Sequence, residues 1–211
     1  MKLVSVNIGK ARPTDASSVG QTGIFKKPAA GPVHITPNGA KGDAVCDDSC
    51  HGGPDQAIYV YTQPDYGWWS HEIGYTPKPG SFGDNLTVSG LLSQNVCVGD
   101  RLIFPEVELE VTAPRIPCGT LAAKMQDPQF VKKFKNAERP GFYCRVISNG
   151  MIEQGQNYRF ESGPYGVSLV EIFRDYYTQD ASRDILEAFL AAPIAIRTRE
   201  SIKSRLAELV D

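Results

Sequence analysis

Short runs in which apolar and polar residues alternate occupy most of the first three quarters of the chain, and glycine or proline residues lie between them. Alternation places every second side chain on the same face of an extended strand. The pattern predicts β-strands over residues 2–8, 57–62 and 107–112. In the last of these, three apolar residues alternate with Glu108 and Glu110, which is typical of a strand with one buried and one polar face.

A turn motif and segments with helical periodicity predict further elements. Asn149 and Gly150 separate two apolar runs, and this dipeptide favours a tight β-hairpin turn. Residues 64–73 and 121–134 have the spacing of short helices. Pro128 interrupts the second of them, because proline lacks the backbone N–H that a helix interior needs.

The pattern changes near residues 161–166 and is helical from Ser168 onward. Ser168 and Glu171 have the spacing of an S-x-x-E capping box at a helix start. The third of three predicted helices would begin at Thr198 as its N-cap. The apolar stripes of the second and third helices are Ile185, Leu186, Phe189 and Leu190, followed by Ile202, Leu206 and Leu209. We therefore expect a mainly β body over residues 1–162 and a three-helix domain over residues 163–211.

Composition limits the class of protein. The chain has 211 residues, of which 41% are hydrophobic and 22% charged, which allows a packed core. No apolar run approaches 18 residues, so no membrane span is expected, and the first residues have the pattern of a strand rather than a signal peptide. The five cysteines are odd in number, which favours a reduced, cytoplasmic protein whose special thiols are chemical rather than structural.

Charge is unevenly distributed along the sequence. Residues 1–41 carry a net charge of +5, and the rest of the chain carries −7. The basic segment suits a small anion such as a phosphate, or it is a scatter of solvated lysines. The helical segment has a net charge of −2, which argues against binding to nucleic acid, because such binding needs a basic face.

The segment CDDSCHGGPD at residues 46–55 concentrates thiols, carboxylates and an imidazole. A zinc site is disfavoured, because Cys46, Cys50 and His51 lack a second, distant pair of ligands. Two interpretations remain open. Gly52 and Gly53 form a turn with unusual backbone angles, or the segment lines a ligand pocket and offers backbone N–H groups to an anion.

A lone thiol lies where the strand over residues 107–112 gives way to a helical pattern. Cys118 follows Pro117 and precedes Gly119, and Arg115 lies three residues upstream. A helix dipole and a nearby arginine would both favour the thiolate, which is a nucleophile or a ligand for a soft metal. The alternative is an ordinary buried cysteine at the end of a strand. No phosphate-binding loop, dinucleotide fingerprint or hydrolase nucleophile elbow is present in the sequence.

Three segments together resemble a known family. HGGPDQAIYVY, FGDNLTVSGLLSQNVCVGDRL and VTAPRIPC occur in the order and at the spacing of the MOSC domain, named after the C-terminal domain of molybdenum cofactor sulfurase. Within that family, the chain is most similar to the bacterial YiiM-like proteins, in which a small three-helix domain follows the MOSC domain. The resemblance covers nearly the whole chain and implies a β-rich, partly closed barrel with a pocket for molybdenum cofactor (molybdopterin).

The resemblance also implies roles for particular residues. Cys118 would be the thiolate ligand to molybdenum and Asn85 would lie near the cofactor, while His51, Gly52, Gly53 and Asp55 would belong to a pocket loop. Lys10 and Arg12 occupy the basic segment after the first strand, where they would contact an anion, and Arg115 lies beside the thiol. His51 and Asp55, or Asp84, are candidates to relay a proton. At position 84 the family more often has glutamate, and Cys46 and Cys50 are not part of its pattern.

The activity implied by the resemblance is the reduction of N-hydroxylated compounds, such as N-hydroxylated purine bases, which would be a detoxification. A molybdenum cofactor would do the redox chemistry, and a separate redox protein would donate electrons, because the sequence has no flavin or iron–sulfur motif. The alternative is a sulfur carrier or cofactor carrier that uses Cys118 as a persulfide or thiolate. The helical tail would pack on the body, mediate self-association as a homodimer, or dock the electron donor.

Overall fold

The fold is described from a computed structural model, which covers residues 1–47 and 52–208. These residues form thirteen β-strands: β1 Leu3–Ile8, β2 Arg12–Pro13, β3 Gln21–Thr22, β4 Lys27–Pro28, β5 Val33–Thr36, β6 Gly39–Ala40, β7 Ile58–Thr62, β8 Leu86–Val88, β9 Arg101–Ile103, β10 Glu108–Pro114, β11 Phe142–Ser148, β12 Gly150–Ile152 and β13 Arg159–Glu161. The three strands predicted from alternation are confirmed as β1, β7 and β10.

Eight of the strands form one large sheet in the order β13-β9-β10-β11-β7-β8-β1-β4. Neighbouring strands are antiparallel except β7 and β8, which are parallel. In the described residues, the end strands β4 and β13 are not paired with each other, but the start of β1 bonds to residues 155–158, just before β13. The mixed, mainly β class is confirmed, and the sheet does not form a fully closed barrel.

Strand β7 shows how the sheet separates two apolar clusters. Its five residues are all buried. Ile58 and Val60 point into the larger cluster, whereas Tyr59 and Tyr61 point into a smaller, aromatic one. Successive side chains of a strand face opposite sides, so one strand serves both clusters.

Six helices accompany the sheet in the described part of the chain: α1 Gln63–Ile73, α2 Gly119–Met125, α3 Phe130–Ala137, α4 Leu169–Thr178, α5 Arg183–Ala191 and α6 Ile196–Glu208. The predicted helices are confirmed, including the break at Pro128 between α2 and α3. Thr62 caps α1 by accepting a hydrogen bond from the Asp65 N–H at 3.2 Å. Ser168 caps α4 in the same way, from the Val170 N–H at 3.2 Å.

Two details of the predicted helices are wrong. Helix α6 begins at Ile196, so Thr198 lies inside it rather than at its N-cap. Ile185 is 47% exposed and lies off the apolar stripe of α5, whereas Leu186 and Phe189 are buried. Asp55, which is remote in sequence, caps α6 by accepting a hydrogen bond from the Ile196 N–H at 2.8 Å.

The predicted hairpin at Asn149–Gly150 is also wrong. Strand β12 pairs with β5 in a separate three-stranded sheet, whereas β11 pairs with β10 and β7. Gly150 instead permits a close approach, because a Cβ atom there would lie 2.6 Å from Cβ of Glu106. The Glu106 carboxylate accepts the Met151 N–H at 2.9 Å, which binds β12 to the loop between β9 and β10.

The three C-terminal helices pack on the sheet. Residues of α4, α5 and α6, including Leu169, Leu186 and Ile202, belong to the same apolar cluster as Ile58 and Leu109 of the sheet. The division at residue 162 into two domains stays a prediction. Within the described residues, no helix is both long and apolar enough to cross a membrane.

Candidate functional site

Cys118 lies at the predicted corner between a strand and a helix. Strand β10 ends at Pro114, and α2 begins at Gly119. Cys118 itself has extended backbone angles (φ −122°, ψ 169°), and its carbonyl oxygen accepts the Leu121 N–H at 3.0 Å. Apart from the adjacent residues and the backbone of the same helix, no heavy atom of the described residues lies within 4 Å of the position that a Cβ atom of Gly119 would occupy, so the space beside the half-buried cysteine is open.

The open space belongs to a cavity of about 260 Å³. This volume lies near the lower end of the range for small-molecule sites, roughly 300 Å³. Four residues to which the family resemblance gave a role line it: Gly52, Asn85, Arg115 and Cys118. The structure therefore brings together residues from three segments that are distant in sequence.

Arg115 lies in the wall of this cavity with only 4% of its surface exposed. One of its terminal N–H groups donates to the Phe82 carbonyl, and its guanidinium carbon lies 4.9 Å from the centre of the Tyr59 ring. Burial works against its charge, but Tyr143, Tyr59 and Cys118 raise the pKa of Arg115 above its ordinary value. Its Nε is buried and has no hydrogen-bond partner among the described residues.

A second group of polar residues in the cavity wall was missed by sequence reasoning. Lys26 forms a buried ion pair with Asp43, and the Asp43 carboxylate also accepts the Asn85 side-chain amide at 2.8 Å. The Asn85 side-chain oxygen accepts the Tyr59 N–H at 3.1 Å, which fixes the amide to strand β7. Lys26 was visible in the sequence only as one of the six basic residues of the N-terminal segment, and Asp43 carried no signal at all.

The predicted pocket loop is only partly in the cavity wall. Gly52 lines the cavity with a φ of 74°, and a Cβ atom there would lie 2.9 Å from a methyl carbon of Val45. Gly53, with a φ of 81°, precedes the short 3₁₀ helix Pro54–Gln56 and does not line the cavity. His51, together with Cys50, lies outside the described residues, and its predicted role stays a prediction.

Asp55 faces away from the cavity. One carboxylate oxygen accepts the Arg145 guanidinium at 3.0 Å, and the other accepts the first N–H of α6. Arg197 of α6 donates to the Gln56 side chain at 2.7 Å and to the Gly52 carbonyl at 3.2 Å. These contacts tie the predicted pocket loop to the C-terminal helices, and the predicted catalytic role of Asp55 stays a prediction.

Lys10 and Arg12 are exposed and do not line the cavity. The Arg12 guanidinium lies over the Phe25 ring, 5.4 Å from its centre. Their predicted contact with an anion stays a prediction. It would require a ligand that extends out of the cavity.

Asp84 is fully buried behind the wall, between two residues that line the cavity. Its carboxylate accepts hydrogen bonds from Thr87 at 2.6 Å, Tyr66 at 2.7 Å and Asn7 at 3.2 Å. Burial raises the pKa of Asp84, although the bonds from Thr87 and Tyr66 partly oppose this. The network braces the loop that carries Asn85.

The fold is that of an α+β protein in which a thiol, a buried arginine and a lysine–aspartate pair line one cavity. The chain belongs to the MOSC domain family, which it matches over residues 47–159. Cys118, Arg115 and Asn85 all lie within the matched range.

The chain is also similar to individual proteins. YflK of Bacillus subtilis (strain 168) is 34% identical over 90% of this chain and 86% of its own length. A protein of Gibberella moniliformis named "Reductase" is 28% identical over 97% of this chain, which spans only 37% of that protein. YiiM of Escherichia coli (strain K12) is 30% identical over 61% of this chain and 59% of its own length.

A solved structure extends the similarity to the complete fold. The crystal structure of YiiM from Geobacillus stearothermophilus is 29% identical and superimposes with a TM-score of 0.80, over 97% of this chain and 98% of that chain. Because the match includes nearly all of both chains, it covers the C-terminal helices as well as the sheet. The similarity to YiiM-like proteins is confirmed.

Proposed function

We propose that this protein is a molybdenum-cofactor-binding oxidoreductase that reduces N-hydroxylated compounds, such as N-hydroxylated purine bases. The observation that carries the proposal is Cys118, a thiol on the wall of a cavity that Arg115 and Asn85 also line. The family supports the choice of cofactor, and the relative named "Reductase" supports the class of reaction.

The cavity residues suit the proposed cofactor. Thiolate is a preferred ligand for a soft metal centre, so Cys118 would hold the molybdenum. Arg115 lines the cavity and carries a buried positive charge, which suits the anionic part of a cofactor or substrate. Within the described residues, no group of three or more histidine, cysteine or acidic side chains could bind a metal by itself, so the proposed site depends on one thiol and on the cofactor's own ligands.

The cofactor, the protein and the electron donor would have separate roles in the reaction. Bound molybdenum cofactor would supply two-electron chemistry that removes the oxygen atom from a nitrogen. The protein would orient the substrate against Cys118 and Arg115, limit access of water and provide protons. Electrons would come from a separate redox protein.

The test is turnover by protein loaded with molybdenum cofactor, using an N-hydroxylated purine as substrate and a reduced viologen as electron donor. We expect turnover by the wild type and a loss of at least about 100-fold in Cys118→Ala, because a metal ligand is removed. Cys97→Ala is the matched control, since Cys97 is also half-buried but does not line the cavity. Absence of turnover in the loaded wild type would contradict the proposal, and an added sulfur atom on Cys118 would then favour the sulfur-carrier function.

A further inference from the structure

Lys26 places an ammonium group in the wall of the cavity. Its side chain is 8% exposed and is paired with Asp43, which is 5% exposed. A lysine that is buried to this degree normally needs a partner for its charge. Asp43 is that partner, and both residues line the same cavity as Cys118.

Two of the three N–H groups of the Lys26 ammonium have no acceptor among the described residues. An ammonium has three donors, and in the described part of the chain Asp43 is the one acceptor recorded for Lys26. Lys124 differs from Lys26 in both respects. Its Nζ donates to the Ile24 carbonyl at 2.6 Å and to the Gly80 carbonyl at 2.7 Å. Lys124 does not line the cavity. One buried lysine therefore holds the backbone together, whereas the other keeps donors available to a molecule in the cavity.

The carboxylate that holds Lys26 is itself fixed. Asp43 accepts the backbone N–H of Gly9 at 2.7 Å and the side-chain amide of Asn85 at 2.8 Å. Asn85 is in turn anchored to the Tyr59 N–H. Both polar ends of the Asn85 side chain are thus used within the protein, so that Asn85 acts on the cavity through Asp43.

We propose that Lys26 is the acid that protonates the departing oxygen of the substrate, and that Asp43 and Asn85 are the residues that position it. The inference rests on the proposed function. Reduction of R–NHOH to R–NH₂ and water breaks one N–O bond and consumes two electrons and two protons. The external electron donor supplies the two electrons. Lys26 Nζ gives one proton to the departing oxygen, and solvent gives the second proton of the reaction. Solvent then reprotonates the neutral Lys26 side chain.

The electrostatic surroundings are consistent with this role. Burial lowers the pKa of Lys26, although its ion pair with Asp43 opposes the change. A lowered pKa makes the ammonium a better acid near neutral pH. The charged or titratable groups that act on Lys26 or respond to it are Asp43, Asp84, Arg115, Cys46 and Lys124.

The test compares three variants of the cofactor-loaded protein. Lys26→Met removes the proton, Lys26→Arg keeps the charge and the ion pair but cannot release a proton, and Lys27→Met removes the charge of the exposed neighbouring lysine. Molybdenum content, turnover as a function of pH, and the titration of the Lys26 ε-methylene NMR signal in the cofactor-free protein are measured. Lys26→Met identifies that signal by its absence.

We expect Lys26→Met and Lys26→Arg to bind molybdenum within about twofold of the wild type and to lose roughly 100-fold or more in turnover, the usual contribution of a general acid. Lys27→Met should match the wild type, and the Lys26 signal should titrate below that of exposed lysines. Wild-type turnover in Lys26→Arg would overturn the inference, because charge alone would then suffice. Loss of molybdenum from Lys26→Met would overturn it in favour of cofactor anchoring. An inactive, loaded wild type would defeat the proposed function itself and this inference with it.

Discussion

Cys118 owes its position to its immediate neighbours. Pro117 restricts the backbone ahead of it and biases Ile116 toward extended geometry. Gly119 begins helix α2 without a side chain, and a methyl group added there would stand in the open space of the cavity. The thiol is therefore accessible on one side, while Arg115 supplies positive charge from the buried wall.

The lowered pKa of Lys124 predicts how the stability of the protein depends on pH. Burial lowers the pKa of Lys124 to about 8 from 10.5, so the unfolded chain binds more protons than the folded protein between these pH values. The free energy of unfolding should therefore rise with pH in this window by at most about 3 kcal/mol from this group. The measurement is urea unfolding of the wild type and Lys124→Met from pH 7.5 to 10.5. The free energy of unfolding of the wild type minus that of Lys124→Met should increase with pH. A value that does not change with pH would contradict the lowered pKa of Lys124.

Sequence reasoning identified some of the cavity residues and missed others for a physical reason. Cys118, Asn85 and Gly52 lie in segments that resemble a family, so the resemblance located them. The pair formed by Lys26 and Asp43 exists only because the fold brings two loops together, and neither residue has a local pattern that indicates it. Such contacts depend on tertiary structure rather than on spacing along the chain.

The first turn of helix α6 holds the predicted pocket loop in place. Its first N–H is capped by Asp55, and its Arg197 bonds to Gly52 and Gln56. The sequence predicted the helix correctly but placed its start at Thr198, because a cap from a residue 141 positions away leaves no local signal. Periodicity thus predicted the elements well, whereas their ends and their sheet partners, as at Gly150, depended on distant residues.

Asp55→Ala should lower the free energy of unfolding by about 1–2 kcal/mol, because it removes the cap of α6 and the partner of Arg145. Asp15→Ala is the control, since Asp15 is exposed and lies outside the cavity wall. The measurement is chemical unfolding, combined with turnover of the loaded protein. If Asp55→Ala were as stable as the wild type but inactive, the structural interpretation would be wrong and a proton relay through Asp55 would be favoured.

The whole molecule shares one large apolar cluster between the sheet and the three C-terminal helices. Ile202 of α6 is 3% exposed and belongs to this cluster, whereas Ile185 of α5 is 47% exposed. Both tryptophans of the chain, Trp68 and Trp69, lie in α1, so tryptophan fluorescence reports on the body rather than on the helical tail.

A substitution in the tail should therefore destabilise the body. We expect Ile202→Ala to lower the free energy of unfolding, followed by tryptophan fluorescence in urea, by about 2–4 kcal/mol. Ile185→Ala, a change of the same size at an exposed position, should stay within about 0.5 kcal/mol of the wild type. An unchanged fluorescence midpoint in Ile202→Ala would mean that the helices unfold independently, as two separate domains would.

Cys118 is the proposed molybdenum ligand in this cavity. Elemental analysis tests this on protein produced in a host that makes molybdenum cofactor, with wild type, Cys118→Ala and Cys97→Ala purified side by side. We predict close to one molybdenum per chain in the wild type and in Cys97→Ala, and at least a tenfold reduction in Cys118→Ala. Equal molybdenum in Cys118→Ala and the wild type, or none in any of the three, would contradict the account.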